Sequence, residues 1–274
     1  MFDYTNNPPV SEKAHMQQTA LKALLQSRWH GAAVHGRVTA LTGWPTGIGS
    51  VDAALAPVGV PRGRLTEIFG PCSSGKTTLA YALLASRIAC GDIAAYVDPE
   101  GTFFSPAACA AGVDPQHLIV TRPRNAHAFL RTVDALVRGG ACSVVVVDAG
   151  AGSMLQTHHC ARLVAQAEKT GTTLLVLSQG HSQALASFAT LRLWARGIAP
   201  LWQPGDDGGG RLLGYAIDME IAKARTVAPG KAFSFQAFAP DVLGSWPVSN
   251  ESLLPSLPAA ASTIGHTLAK AAHL

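Results

Sequence analysis

Charge and aromatic side chains are both scarce in this chain. Only 14% of its 274 residues are Asp, Glu, Lys or Arg, and 7% are Phe, Trp or Tyr. Ala, Leu and Val must therefore fill most of the interior, and at 48% apolar residues the chain can bury a sizeable core. No uninterrupted apolar run approaches the ~18 residues that a membrane-spanning helix needs. The start, with Asp3, Pro8, Pro9 and Glu12, lacks the apolar stretch of a signal peptide. Together these predict a cytoplasmic protein that does not contact a membrane. The formal charge is +4, but Lys and Arg are spread along the chain, so charge alone does not point to nucleic acid. The five cysteines, Cys72, Cys90, Cys109, Cys142 and Cys160, are odd in number, have no ligand spacing, and are expected to be reduced and buried. His158, His159 and Cys160 are consecutive, so on a helix they diverge and do not form a metal site.

The length suits one large core with appendages rather than two small domains, since domains usually run to roughly 100–200 residues. Residues 1–44 read as an N-terminal arm with a helix from about Ser11 to Trp29, 45–240 as the core, and 241–274 as a Pro- and Ser-rich linker with a short C-terminal helix. In the core, β-rich runs at Leu65–Phe69, Ile93–Val97, Leu118–Thr121, Val144–Asp148 and Thr172–Ser178 alternate with helix-compatible segments. That order predicts an α/β fold with a mainly parallel central sheet and flanking helices. After Gln179 the runs Ala189–Ala195, Leu213–Ala224 and Ala232–Phe238, with a glycine-rich turn at Asp206–Gly210, predict an antiparallel extension. Arg192, Arg196 and Arg211 near that extension form either a basic face for DNA or a solvated face, and the solvated reading is preferred.

Between a predicted strand and a predicted helix lies Gly70-Pro71-Cys72-Ser73-Ser74-Gly75-Lys76-Thr77, a match to G-x-x-x-x-G-K-[ST] followed by Thr78. Glycines let the backbone wrap a phosphate, and the helix N-terminus presents N–H donors to its oxygens. The motif predicts ATP as ligand, with Lys76 reaching the β- and γ-phosphates and the Thr77 hydroxyl ligating Mg²⁺. Val144 to Val147 form a fully buried strand that ends on Asp148, where ligands gather on a parallel sheet, so Asp148 is the expected acidic partner of the metal. Asp98-Pro99-Glu100 ends another strand, and Glu100 is the candidate that positions or deprotonates the attacking water. The alternative is that Asp98 or Glu100 caps the following helix.

The segments Thr46–Asp52, Pro61–Pro71, Ser73–Leu79, Tyr96–Glu100, Gly112–Asp114, Val145–Asp148 and Ser178-Gln179 together resemble the RecA recombinase family over roughly residues 45–240. The resemblance implies a RecA-like nucleotide-binding core with Glu100 as the catalytic glutamate. It casts Gln179 as the glutamine that senses the γ-phosphate, where an ordinary polar strand end is the plainer reading. It also implies that Lys223 and Arg225 stand where the family carries a lysine pair reaching a neighbour's nucleotide, with solvated surface charge as the alternative. Arginine at the second position keeps the charge and adds bidentate phosphate geometry.

The segments after Asp148 and Gln179, where the family carries DNA-binding loops, are short, and little beyond Pro240 could form a further domain. That combination resembles the ImuA group of SOS-mutagenesis accessory proteins, which work with ImuB, an inactive Y-family polymerase homologue, and an error-prone polymerase in translesion synthesis. The implied partners are RecA and an ImuB-like protein, with a homo-oligomer and direct contact with single-stranded DNA left open. The implied activity is ATP binding with weak or partner-stimulated hydrolysis. The rival readings are a DNA-stimulated ATPase or recombinase, and a scaffold that keeps an unused P-loop.

Overall fold

The computed structural model describes residues 41–150, 155–204 and 210–238. The helices expected in the two terminal arms, and most of the Asp206–Gly210 turn, lie outside these residues. A short hairpin, β1 (Gly43–Trp44) with β2 (Val60–Pro61), encloses helix α1 (Gly49–Leu55). The chain then alternates β3 (Leu65–Phe69), α2 (Lys76–Ile88), β4 (Ile93–Val97), α3 (Ser105–Ala110), β5 (Leu118–Thr121), α4 (Ala126–Gly139), β6 (Cys142–Asp148), α5 (Thr157–Thr170), β7 (Thr173–Ser178) and α6 (Gln183–Phe188). It closes with β8 (Leu191–Pro204), β9 (Gly210–Lys223) and β10 (Ala232–Phe238).

Eight strands form one sheet in the order β10-β9-β8-β3-β7-β6-β4-β5. From β5 to β8 the neighbours are parallel, and β9 and β10 add antiparallel; the run Ala189–Ala195, expected in the antiparallel extension, instead falls largely in β8, which pairs parallel with β3, so the extension begins only at β9. β8 and β9 run longer than their apolar patterns suggest, because their ends extend beyond the core, where Trp202 is 60% exposed.

Strand residues alternate between two cores, as the period-two pleat demands. Val144 and Val146 pack with Tyr96, Leu175 and the α1–α3 side, while Val145 and Val147 pack with Phe129, Val133 and Leu163 of α4 and α5. α4 buries Phe129, Val133 and Val137 at four-residue spacing, starts where the Asn125 side chain accepts the Ala128 N–H (2.8 Å), and ends on left-handed Gly140. α2 is buried nearly all round, because the sheet, α1 and α3 enclose it. The hairpin is tied to the sheet through Trp44, whose Nε1 donates to Thr173 Oγ1 (3.1 Å) while the Arg87 guanidinium lies 3.9 Å from its ring centroid.

Two further expectations are corrected. Only Cys142 and Cys160 are buried. Cys72 lies at the tip of the P-loop, Cys90 just beyond α2 and Cys109 on the outward face of the one-sided helix α3, so these three are exposed. Burial and the Glu67 carboxylate push the Cys160 thiol up to about 11. A thiol reagent at neutral pH should therefore label Cys72, Cys90 and Cys109 in the native protein, and Cys142 and Cys160 only after unfolding. Peptide mass mapping checks this, and fast native labelling of Cys160 would contradict the burial.

Arg192, expected on a solvated or DNA-facing surface, is instead 6% exposed. It pairs with Glu67 at 2.5 Å, because the parallel register sets residue 192 beside residue 67. Arg196 is half-exposed and faces Glu220 at 3.6 Å, and the side chain of Arg211 lies outside those described.

Candidate nucleotide site

The P-loop leaves the carboxyl end of β3 and enters α2 at Lys76. Its two glycines stand where a side chain cannot. Gly75, the N-cap of α2, has φ +86°, and a Cβ there would lie 2.6 Å from Ile217 Cγ2. A Cβ on Gly70 would lie 2.3 Å from the Ala195 carbonyl oxygen. The antiparallel strands β8 and β9 thus press against the loop from beside β3, which forces the backbone to run bare. No side chain caps α2, so its first N–H groups remain available to an anion.

Pro71, Cys72 and Ser73 form the exposed rim, Ser74 is buried with its hydroxyl donating to Pro71 O (2.8 Å), and Thr77 and Thr78 are half-buried in the first turn of α2. Lys76 Nζ donates to Gly70 O (2.9 Å), to Pro71 O and to Ser74 Oγ (3.4 Å), so the loop folds onto its own cation. Burial lowers the lysine pKa, and the Cys72 and Asp148 charges oppose that shift.

Around this loop, backbone hydrogen bonds lace the strand ends together. Gly70 N–H donates to Ser178 O (3.2 Å), Ala149 N–H to Leu177 O (2.9 Å) and Gln179 N–H to Gly150 O (3.1 Å). Asp148 is half-buried at the end of β6, and its Oδ2 accepts from the Tyr96 hydroxyl (3.1 Å) and from Thr102 Oγ1 (3.3 Å). Burial and the Asp148 charge raise the Tyr96 phenol pKa far above its ordinary range, so it remains a donor.

Glu100 is exposed, yet it meets the same strand end: a Cβ on Gly150 would lie 1.9 Å from Glu100 Oε1. Asp98, the other acid of that segment, is fully buried. It accepts the Thr102 N–H (2.8 Å), the Phe103 N–H (3.0 Å) and Arg122 Nε (3.1 Å), so it staples the loop that carries Glu100.

The structure therefore gathers Gly70 to Thr78, Glu100, Asp148 and Gln179 at the carboxyl edge of the parallel sheet. It does not bring Lys223 and Arg225 there. Lys223 pairs in register with Arg192, which lies beside Glu67, about 10 Å down the strands from Gly70 and two strands across. Its ammonium donates to the terminal carbonyls of α6, Ala186 O (2.8 Å) and Ser187 O (3.4 Å). Arg225 is exposed, close enough to Arg64 to lower the Arg64 pKa, after the larger effect of burial.

Sequence reasoning missed Tyr96 and Thr102 as partners of Asp148. It also missed the Glu67–Arg192 pair, whose signal was a glutamate at the centre of the short strand β3 and an arginine at the second position of β8.

The bare loop, the uncapped helix and the carboxylate that ends β6 fit a nucleotide with its Mg²⁺. Mg²⁺ in such sites is usually held by one or two carboxylates and substrate phosphates, and no cluster of three or more His, Cys, Asp or Glu occurs among the described residues. Among those residues no helix is long and apolar enough to cross a membrane.

A crystal structure of the RadB recombinase superposes with a TM-score of 0.54 over 70% of this chain and 95% of that one, at 22% identity, which speaks to the fold. Protein RecA of Salinispora arenicola is 33% identical over 225 residues, 70% of this chain and 63% of that protein. Protein RecA of Cutibacterium acnes is 32% identical over 244 residues, 77% and 67% respectively, and that of Deinococcus radiodurans 32% over 220 residues, 68% and 60%. The chain thus spans about 60–67% of the length of these relatives. The RecA N-terminal domain family matches residues 30–171, just over half of the chain and the stretch that carries the P-loop, Glu100 and Asp148. With the glycine-lined cradle, Glu100 and Asp148 all falling within the matched family domain, this chain belongs to the RecA family.

Proposed function

We propose that this protein is an ATP- and Mg²⁺-binding RecA-like accessory protein of DNA repair and SOS translesion mutagenesis, an adaptor between RecA and an error-prone polymerase complex. The observation that carries the reading is a contrast within one edge of the sheet. The nucleotide cradle is complete, whereas the connections that follow β6 and β7 on the same edge are short: residues 149–156 between β6 and α5, and residues 179–182 between β7 and α6. Holding single-stranded DNA takes a charged groove with stacking side chains, and four residues offer little length for one.

In this reading Gly70 to Thr78 bind the phosphates, Thr77 and Asp148 hold the metal, Glu100 positions water, and Gln179 reports the γ-phosphate. Lys223 and Arg225, far from their own P-loop, suit a neighbouring subunit's nucleotide. Hydrolysis is then slow until a neighbour docks.

A second reading, a DNA-stimulated ATPase or recombinase of the RecA class, draws support from the placement of Glu100 beside Asp148 and Gln179. ATP turnover by the purified protein separates the two when measured alone, with single-stranded DNA and with a RecA filament. The adaptor reading expects little stimulation by DNA, and nucleotide-dependent binding to the filament that is lost in Lys76→Ala. Strong stimulation by naked DNA would overturn it. Mg-ATP should also slow alkylation of Cys72, which sits in the loop, without slowing that of Cys90.

A further inference from the structure

Asp148 would hold the metal and Glu100 would serve as the base, yet neither position is self-supporting. Glu100 is exposed, and among the described residues the Asp148 carboxylate accepts from one backbone group, the Gly150 N–H, which reaches Oδ1 at a long 3.4 Å. A pair of hydroxyls meets the other carboxylate oxygen of Asp148, one of them from the loop that carries Glu100.

Tyr96 lies on β4 in register with Val146, two residues before Asp148 and on the same face. It is 0% exposed, and its ring is wedged between Tyr81 (centroids 6.1 Å apart) and Phe103 (4.9 Å), which themselves meet edge-on at 79°. A buried phenol needs a hydrogen-bond partner, and among the described residues Tyr96 finds it in Asp148 Oδ2 at 3.1 Å. The second hydroxyl comes from the loop that carries Glu100. Thr102 Oγ1 stands 3.3 Å from Asp148 Oδ2 and 3.3 Å from Asp98 Oδ1, and its own N–H donates to Asp98 Oδ1 at 2.8 Å. Thr102 therefore bridges the carboxylate that staples the loop and the carboxylate that ends β6.

We propose that Tyr96 and Thr102 are positioning residues, a two-hydroxyl clamp that fills Oδ2 of Asp148, leaves Oδ1 to face the metal, and ties the Glu100 loop to the same carboxylate. The proposal rests on the nucleotide-binding reading above and assigns these side chains a role toward the metal. Hydrogen bonds that orient a metal-binding carboxylate typically change metal affinity ten- to a hundredfold. The Tyr96 ring stays in place without its hydroxyl, because Tyr81 and Phe103 hold it by shape, so Tyr96→Phe removes the clamp and little else.

The test is a titration of a fluorescent methylanthraniloyl-ADP, first in EDTA and then across Mg²⁺ concentrations, on wild type, Tyr96→Phe, Thr102→Val and Thr102→Ser, with thermal melts to show that each folds. The expected result is unchanged affinity in EDTA. The Mg²⁺ concentration giving half of the metal-dependent gain should rise roughly tenfold in Tyr96→Phe and severalfold in Thr102→Val, with Thr102→Ser restoring the wild-type value. An unshifted Mg²⁺ dependence in a folded Tyr96→Phe overturns the clamp while leaving nucleotide binding intact. A wild type that binds no nucleotide in either condition overturns the nucleotide reading and the clamp with it.

Discussion

Arg192→Met should destabilise the protein by about 3–5 kcal/mol, the cost typical of stranding one charge of a buried pair. Glu67 is 0% exposed at the centre of β3, and its carboxylate has two side-chain partners: Ser178 Oγ at 2.9 Å on Oε1 and Arg192 Nε at 2.5 Å on Oε2. Removing the guanidinium leaves the hydroxyl alone facing an anion in the core. Against a total stability on the order of 5–15 kcal/mol, that loss is large.

The pair itself is not a strong source of stability. Arg192 Nη2 is buried without a partner, and the guanidinium also lies 4.4 Å from the Phe69 ring centroid, so part of its desolvation goes uncompensated. Replacing both residues, Glu67→Met with Arg192→Met, should therefore recover most of what the single change loses. Urea denaturation of the two singles and the double measures the coupling. A single-mutant loss below about 1 kcal/mol would mean that water reaches the pair and that its burial is overstated.

A functional loss should accompany the energetic one. Ser178 O accepts the Gly70 N–H, and Gln179 follows directly, so the network that holds Ser178 also holds the edge of the phosphate cradle.

Gly75→Ala should lower nucleotide affinity by roughly thirtyfold or more while leaving a folded sheet. Two costs combine. The left-handed backbone at φ +86° disfavours any Cβ by about 1–2 kcal/mol. The new methyl would also stand 2.6 Å from Ile217 Cγ2 and 2.8 Å from its Cδ1, and Ile217, 2% exposed in the core, cannot withdraw. Overpacking of that kind costs about 1–3 kcal/mol, and the cheapest relief is to move the loop away from phosphate.

Gly91→Ala is the matched control. It has nearly the same backbone angle, φ +85°, with nothing within 4 Å of a Cβ, so it should show the backbone cost alone and bind nucleotide normally. Isothermal titration with ADP and Mg²⁺ on both variants reads the difference. Equal affinities for the two would refute the close approach of β9 to the loop.

The cradle was legible because its chemistry is contiguous: eight residues between a strand and a helix specify the turn, the lysine and the hydroxyl without reference to the rest of the chain. The strands were legible for a related reason. Runs such as Val144 to Val147 can only be buried on both faces, and the alternation of such runs with helical periodicity implies parallel pairing. Asp148 and Glu100 followed, since strand ends on one edge of a parallel sheet converge.

Exposure was where the sequence misled. Arginine is rarely buried and cysteine commonly is, yet Arg192 is enclosed and Cys72, Cys90 and Cys109 are not. Composition states how often a residue type is inside, whereas the register of β8 against β3 states whether this one is.

From its sequence alone, then, this protein's phosphate loop, its parallel core and the family to which it belongs could be read, because each is written in short windows or in a period of two or of 3.6 residues. Tertiary structure alone decided the pairings that tune the site. Tyr96 meets Asp148 across 52 residues, Ser178 meets Glu67 across 111 and Arg192 meets Glu67 across 125, and Lys223 and Arg225 fall on the side of the sheet away from their own P-loop. Each of these depends on which strand lies beside which and in what register, and that choice is made by the packing of the whole chain rather than by any local pattern.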